Sequence, residues 1–127
     1  MILNLSELSQ EPLYAQISRQ IRAKILSEDL AGGDALPSIR GLAKEQRVSV
    51  ITVQRSYEDL EREGLLRSRR GKGFWVVPIP EKRKQTMAEE RFSDQLRELV
   101  KHAAAEGLRG ADMRHILTGL LKEEALP

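Results

Sequence analysis

Residues 36–77 constrain this chain more than any other stretch. LPSIRGLAKEQRVSVITVQRSYEDLEREGLLRSRRGKGFWVV holds two apolar repeats of helical period joined by a very short connection, then two strand-like runs around a glycine-lysine-glycine tip. Pro37 cannot continue a helix and Ser38 can cap the next one, whose Ile39, Leu42 and Ala43 recur at helical spacing while Arg40 points off that stripe. Residues 38–46 read as a first, supporting helix. Gln46, Arg47 and Val48 leave room only for a sharp turn, after which the Ser49 hydroxyl can satisfy the free amides that open a second helix. There Val53, Tyr57 and Leu60 form the inward stripe, leaving Ser49, Val50, Ile51, Thr52, Gln54, Arg55 and Glu58 on other faces, and Gly64 ends the helix after Glu63 in a left-handed conformation.

Strands over residues 65–70 and 74–77 flank Gly71, Lys72 and Gly73, with Arg67, Arg69, Arg70 and Lys72 on or beside the tip. Like charges so close together repel one another unless a polyanion neutralises them. Helix, tight turn, helix and basic glycine-tipped hairpin is the layout of a winged helix-turn-helix. In that layout the second helix enters a major groove and the wing reaches phosphates and the minor groove. Val50 and Ile51, apolar on a solvated first turn, suit thymine methyl groups there. The bland alternative is a solvated hairpin that only closes the core; in either case Phe74 and Trp75 on the wing strand are expected to pack beneath the hairpin rather than stack on bases.

Residues 12–77 resemble the DNA-binding domain of GntR-type bacterial transcription regulators. The resemblance rests on PLYAQI at 12–17, LPSIRGLA at 36–43, TVQRSYEDLEREGLL at 52–66 and RRGKGFWV at 69–76. A helix opening with Pro12 at its first position and carrying Leu13, Ile17, Ile21 and Ile25 on one face completes the three-helix core that the resemblance implies. The family's contacts then fall on Arg40, on Ser49, Val50, Ile51, Thr52 and Gln54, and on Gly71, to which this chain's own pattern adds Arg55, Arg69, Arg70, Lys72 and Gly73. Many members carry arginine where this chain has Val50 and Gln54, so a more A·T-leaning half-site is expected, because glutamine suits adenine and valine a thymine methyl. Many carry glutamate where it has Gly41, which removes a capping-box partner of Ser38 and predicts a slightly loose supporting helix.

Composition agrees with that reading. With 127 residues, 40% of them hydrophobic, the chain fits a small domain with an appendage, and the absence of cysteine excludes disulfides and thiolate metal sites. No apolar run is long enough to span a bilayer and the N-terminus carries no signal-peptide pattern, so a cytoplasmic protein is expected. The net charge of +2 is uneven: between residues 67 and 84, Arg67, Arg69, Arg70, Lys72, Lys82, Arg83 and Lys84 oppose only Glu81. The wing and the stretch just beyond it form the positive end.

Pro78 and Pro80 break any regular element, and the expected domains are a winged helix-turn-helix over 1–77, a linker over 78–85 and two helices over 86–127. The first of these helices has Phe92, Leu96, Leu99, Val100, Ala103 and Ala104 on one side; the second has Met113, Ile116, Leu117, Leu120 and Leu121. Two amphipathic helices cannot bury both stripes alone, and a second copy is the expected cover, with folding back onto the DNA-binding domain as the alternative. This short C-terminal part resembles the YtrA-like branch, which implies a homodimeric repressor.

The fold expected is mainly α with a small β-hairpin wing. The function expected is sequence-specific binding of double-stranded DNA at a palindromic operator, the competing reading being a winged-helix protein-interaction module. His102 and His115 lie on separate helices without a third ligand at metal spacing, and no nucleophile elbow, phosphate loop or paired-carboxylate pattern occurs. The expectation is therefore a non-enzyme with no metal, no cofactor and no membrane contact, and the sequence does not say whether it has a small-molecule effector.

Overall fold

The computed structural model describes residues 1–127, with α1 (Leu13–Leu26), α2 (Ile39–Gln46), α3 (Val50–Arg62), β1 (Leu66–Arg69), β2 (Gly73–Val76), α4 (Glu81–Ala105) and α5 (Gly110–Glu123) in chain order. It divides into one unit over Met1–Gln85 and a second over Thr86–Pro127.

The first unit is built around α3, which packs against α1, α2 and β1. Its stripe of Val53, Tyr57 and Leu60 is fully buried, as are Ile17, Ile21 and Ile25 of α1 and Leu42 of α2. Burying each of the aliphatic side chains is worth about 1.5–3 kcal/mol, far more than any difference in helix propensity, so the stripes decide which faces meet. A polar seam crosses the same boundary. Tyr14, Ser18 and Arg22, one turn apart on α1, meet Arg55, Ser56 and Glu63. The Ser18 and Ser56 hydroxyls share a buried 2.8 Å hydrogen bond, and Arg22 donates to Glu63 from Nε and Nη2 at 2.8 and 2.7 Å.

In the three helices of the first unit's core, the ends follow the sequence cues with one shift. Ser38 Oγ accepts the Gly41 N–H at 3.0 Å, so α2 is capped even without the reciprocal glutamate. Gly64, at φ +81°, terminates α3, and the Leu65 N–H returns to the Leu60 carbonyl at 3.0 Å beneath two buried leucines. Pro12, expected at the first helical position, is instead the cap before it, at φ −57° and ψ 149°; its carbonyl accepts from the Ala15 and Gln16 N–H groups.

Two features gave no sequence signal. Residues 33–36 pair with β2: Gly33 N–H donates to Val76 O, Val76 N–H to Asp34 O and Leu36 N–H to Phe74 O, at 2.8–2.9 Å. The hairpin strand β2 therefore lies between β1 and this segment. Upstream of α1, Gln16 and Gln20 each use one side-chain amide as a peptide unit. Gln20 accepts from Asn4 N–H and donates to Asn4 O at 2.8 and 2.6 Å, while Gln16 does the same with Ser6 at 2.9 and 2.8 Å. Glutamines one helical turn apart match residues two apart on an extended chain, because the two rises are nearly equal.

Helix α4 begins at Glu81, inside the stretch expected to be a linker, and its Lys84 is buried with Nζ 3.6 Å from Glu28 Oε1. The charge counted with the wing is thus partly spent inside the first unit. In the second unit Gly107 separates α4 from α5, and Asp112 Oδ2 accepts the Arg109 N–H at 2.9 Å at the start of α5. Leu99, Ile116 and Leu120 are 63%, 51% and 50% exposed, and α5 buries no residue at all.

Candidate nucleic-acid interface

Two elements place the sequence-derived residues on the surface of the first unit. At the start of α3, Ser49 Oγ accepts the Thr52 N–H at 3.0 Å and shares a 2.7 Å hydrogen bond with Thr52 Oγ1. Both hydroxyls are thereby fixed in direction. The same turn leaves Val50 38% and Ile51 76% exposed. One turn on, Gln54 Nε2 donates to Glu58 Oε1 at 3.1 Å, which leaves its Oε1 and one further N–H outward. Arg55 is also exposed, its guanidinium carbon 3.5 Å from the centre of the Tyr14 ring. Arg40 is exposed on α2.

The wing is the second element. β1 and β2 pair antiparallel from Leu66 with Val76 to Arg69 with Gly73, and the Lys72 N–H donates to the Arg69 carbonyl at 2.9 Å across the tip. Gly71 stands at φ +79°, the third position of a turn that excludes ordinary side chains, and no heavy atom lies within 4 Å of where its Cβ would be. The tip is open. Arg69, Arg70 and Lys72 are all exposed around it.

Strand alternation separates the two wing aromatics. Phe74 joins the core with its ring 5.0 Å from that of Tyr57 at 67°, as expected, whereas Trp75 sits on the other face opposite Arg67. The sequence also concealed how the wing is tethered. Glu61 Oε2, on α3, accepts from both the N–H and the hydroxyl of Ser68 at 3.0 and 2.7 Å, which ties β1 to the helix that carries the outward residues. An acidic residue on a helix and a serine on a strand show no periodicity that would betray such a link.

The residues expected at a second-copy interface lie in the second unit. Leu96, Leu99, Val100, Ala103, Met113, Ile116, Leu117 and Leu120 line an open apolar groove of about 300 Å³, while Phe92 and Leu121 are exposed.

Known proteins share both the sequence and the fold. The profile of the gntR family of bacterial regulatory proteins matches residues 13–76. The HTH-type transcriptional repressor YtrA of Bacillus subtilis is 35% identical over 103 residues, which covers 79% of this chain and 77% of that protein. A GntR family transcriptional regulator from Listeria monocytogenes superposes with a TM-score of 0.71 at 26% identity, over 91% of this chain and 98% of that one. The DNA-binding domain of AraR, solved in complex with operator ORX1, superposes with a TM-score of 0.52 at 29% identity, over 61% of this chain and 95% of that one.

Proposed function

The chain belongs to the gntR family of bacterial regulatory proteins, with a short C-terminal part like that of YtrA, and on that premise we propose that it represses transcription as a homodimer on a palindromic operator. As a family member it is a DNA-binding transcriptional regulator. One observation carries the reading. The outward side chains that open α3 belong to the same helix to which Glu61 ties the wing, and the open glycine tip of that wing is flanked by exposed Arg69, Arg70 and Lys72, so one unit offers both base-reading groups and phosphate-neutralising charge.

In this reading Val50, Ile51, Thr52 and Gln54 face the major groove from α3, Arg55 lies at the edge of that face, Ser49 orients its first turn and Arg40 meets the backbone from α2. Gly71 and Gly73 bring the wing close to the duplex. The apolar groove of the second unit supports a symmetric partner, since a contiguous apolar surface on so small a unit is otherwise exposed to water. Two copies would present two recognition helices to half-sites about 34–36 Å apart along the duplex. The protein acts in the cytoplasm, where bacterial DNA is, and no catalytic step enters the reading.

An electrophoretic shift with duplex fragments from the protein's own upstream region, in excess random competitor DNA, tests it. A retarded band that survives competitor and occurs on one fragment supports a specific regulator. Equal binding to every fragment would overturn specificity, and no binding at low salt would favour the protein-interaction alternative.

A further inference from the structure

Three arginines of the first unit are paired with carboxylates. Arg19 is engaged by Glu11, Arg22 by Glu63 and Arg62 by Asp59, each a carboxylate that fixes the side chain and cancels its charge. Arg55 is held differently. Its guanidinium lies over the face of Tyr14, 3.5 Å from the ring centre, and no hydrogen bond or ion pair to a protein group accompanies that contact. An aromatic face attracts a cation without neutralising it and leaves the N–H donors to a second partner. Arg55 follows Gln54 on the exposed side of α3, and Tyr14 stands in the first turn of α1. Glu11, the acidic residue just before α1, receives the Arg19 Nε and Nη2 groups at 3.0–3.2 Å, and that hydrogen bonding holds its carboxyl below the usual carboxylate range. It does not compete for Arg55.

We infer that Tyr14 is a positioning residue for DNA binding: its ring holds the Arg55 guanidinium, still charged and with free donors, where a backbone phosphate of the duplex meets it. The footprint then runs from the recognition helix to the start of α1. The inference rests on the reading that the outward face of α3 lies against the duplex.

The test uses the full chain and fluorescence anisotropy across a salt series, on an operator duplex and a random one, with Arg55→Gln, Tyr14→Leu, Tyr14→Phe and their combinations. Lys72→Gln serves as a wing control. Arg55→Gln should weaken both duplexes alike and lower the slope of log affinity against log salt by about 0.9 for each phosphate no longer neutralised, about twice that in a symmetric dimer. Tyr14→Leu should weaken both by about three- to tenfold, Tyr14→Phe by less than about twofold, and Tyr14→Leu should add nothing in the Arg55→Gln background. Thermal melting separates these effects from misfolding. Should Tyr14→Leu fail to fold, Arg55→Lys takes its place, because it keeps the charge but loses the flat group that lies on the ring; weakened binding then supports the inference and wild-type binding overturns it. A Tyr14→Leu effect that persists undiminished without Arg55 would make the tyrosine merely structural and overturn the inference. An unchanged slope for Arg55→Gln with a lowered slope for Lys72→Gln would overturn it while leaving the DNA-binding face in place; unchanged slopes for both would overturn that reading too.

Discussion

The Tyr57 hydroxyl donates a 2.8 Å hydrogen bond to the backbone carbonyl of Pro37, joining the middle of α3 to the residue that precedes the cap of α2. The angle between the two helices of the helix-turn-helix is thereby held at both ends, by this bond and by the turn at Arg47. Tyr57→Phe keeps the ring packing on Phe74 but leaves the carbonyl without this partner, and should lower stability by about 1–2 kcal/mol.

A pH signature accompanies that loss. Burial, with a smaller push from Glu45, raises the Tyr57 hydroxyl above its ordinary value near 10. In alkali the unfolded chain gives up this proton while the folded chain keeps it, so the unfolded state binds fewer protons and stability falls as pH rises past about 10. Urea midpoints at about pH 8 and about pH 10.5 check this: the advantage of wild type over Tyr57→Phe should shrink at the higher pH. A constant gap would contradict it.

Much of the fold is legible in the sequence alone. Val53, Tyr57 and Leu60 announce the buried side of α3, and Ser38, Ser49 and Gly64 mark helix boundaries, because apolar period and caps are local properties of sequence. The contacts that set one element against another are not legible. Ser18 with Ser56, Glu61 with Ser68 and Arg55 with Tyr14 join residues whose types are ordinary surface types in their own segments. Only the meeting of two elements gives them a role. Residues 33–36 lack the alternation of a strand, and only their hydrogen bonds to β2 reveal the pairing, while Lys84, counted with the wing charge, is buried against Glu28.

The helix-turn-helix connection carries a cost that can be removed. Arg47 adopts φ +56°, where a side chain is disfavoured by about 1–2 kcal/mol, while its N–H still closes onto the Lys44 carbonyl. Arg47→Gly relieves that strain but adds freedom to the unfolded chain. The net expectation is a gain of about 0.5–1 kcal/mol, read as a higher melting temperature. A lower one would show that the arginine side chain itself stabilises the turn.

Base readout should depend on the pair formed by Gln54 and Glu58. Gln54→Ala should cost roughly 1–3 kcal/mol at one base position per half-site and relax the preference there, leaving other positions intact. Glu58→Ala releases the amide from its 3.1 Å partner and removes a negative charge, so binding to random DNA should strengthen while the preference at that same position broadens. Selection from random duplexes reads both. An unchanged preference in both variants would take Gln54 off the recognition surface.

Assembly should hinge on the apolar groove of the second unit. Leu96→Glu or Leu117→Glu places a charge among Leu99, Val100, Met113 and Ile116, and should split the proposed dimer while the first unit melts as before. Operator binding should then fall far more than random binding, because half-sites lose their coupling. Sedimentation equilibrium checks the premise: wild-type protein that is monomeric at about tens of micromolar would contradict it.

Charge and backbone at the wing should separate cleanly. Arg70→Gln or Lys72→Gln removes a phosphate-neutralising charge, so operator and random DNA should weaken together and the salt slope should fall by about 0.9 for each phosphate left without its cation, about twice that in a symmetric dimer. Gly71→Val acts by another route. No atom stands where its Cβ would go, so nothing within the protein clashes; the penalty is the φ of +79°, which a β-branched residue resists, together with bulk where the tip nears the duplex. Affinity should drop with little change in slope. Glu61→Ala offers an independent check, since it releases Ser68 and loosens the whole wing without altering its basic charge, and should resemble Gly71→Val rather than the charge variants. Anisotropy across a salt series distinguishes the two patterns, and charge variants that keep the wild-type slope would remove the wing from the phosphates.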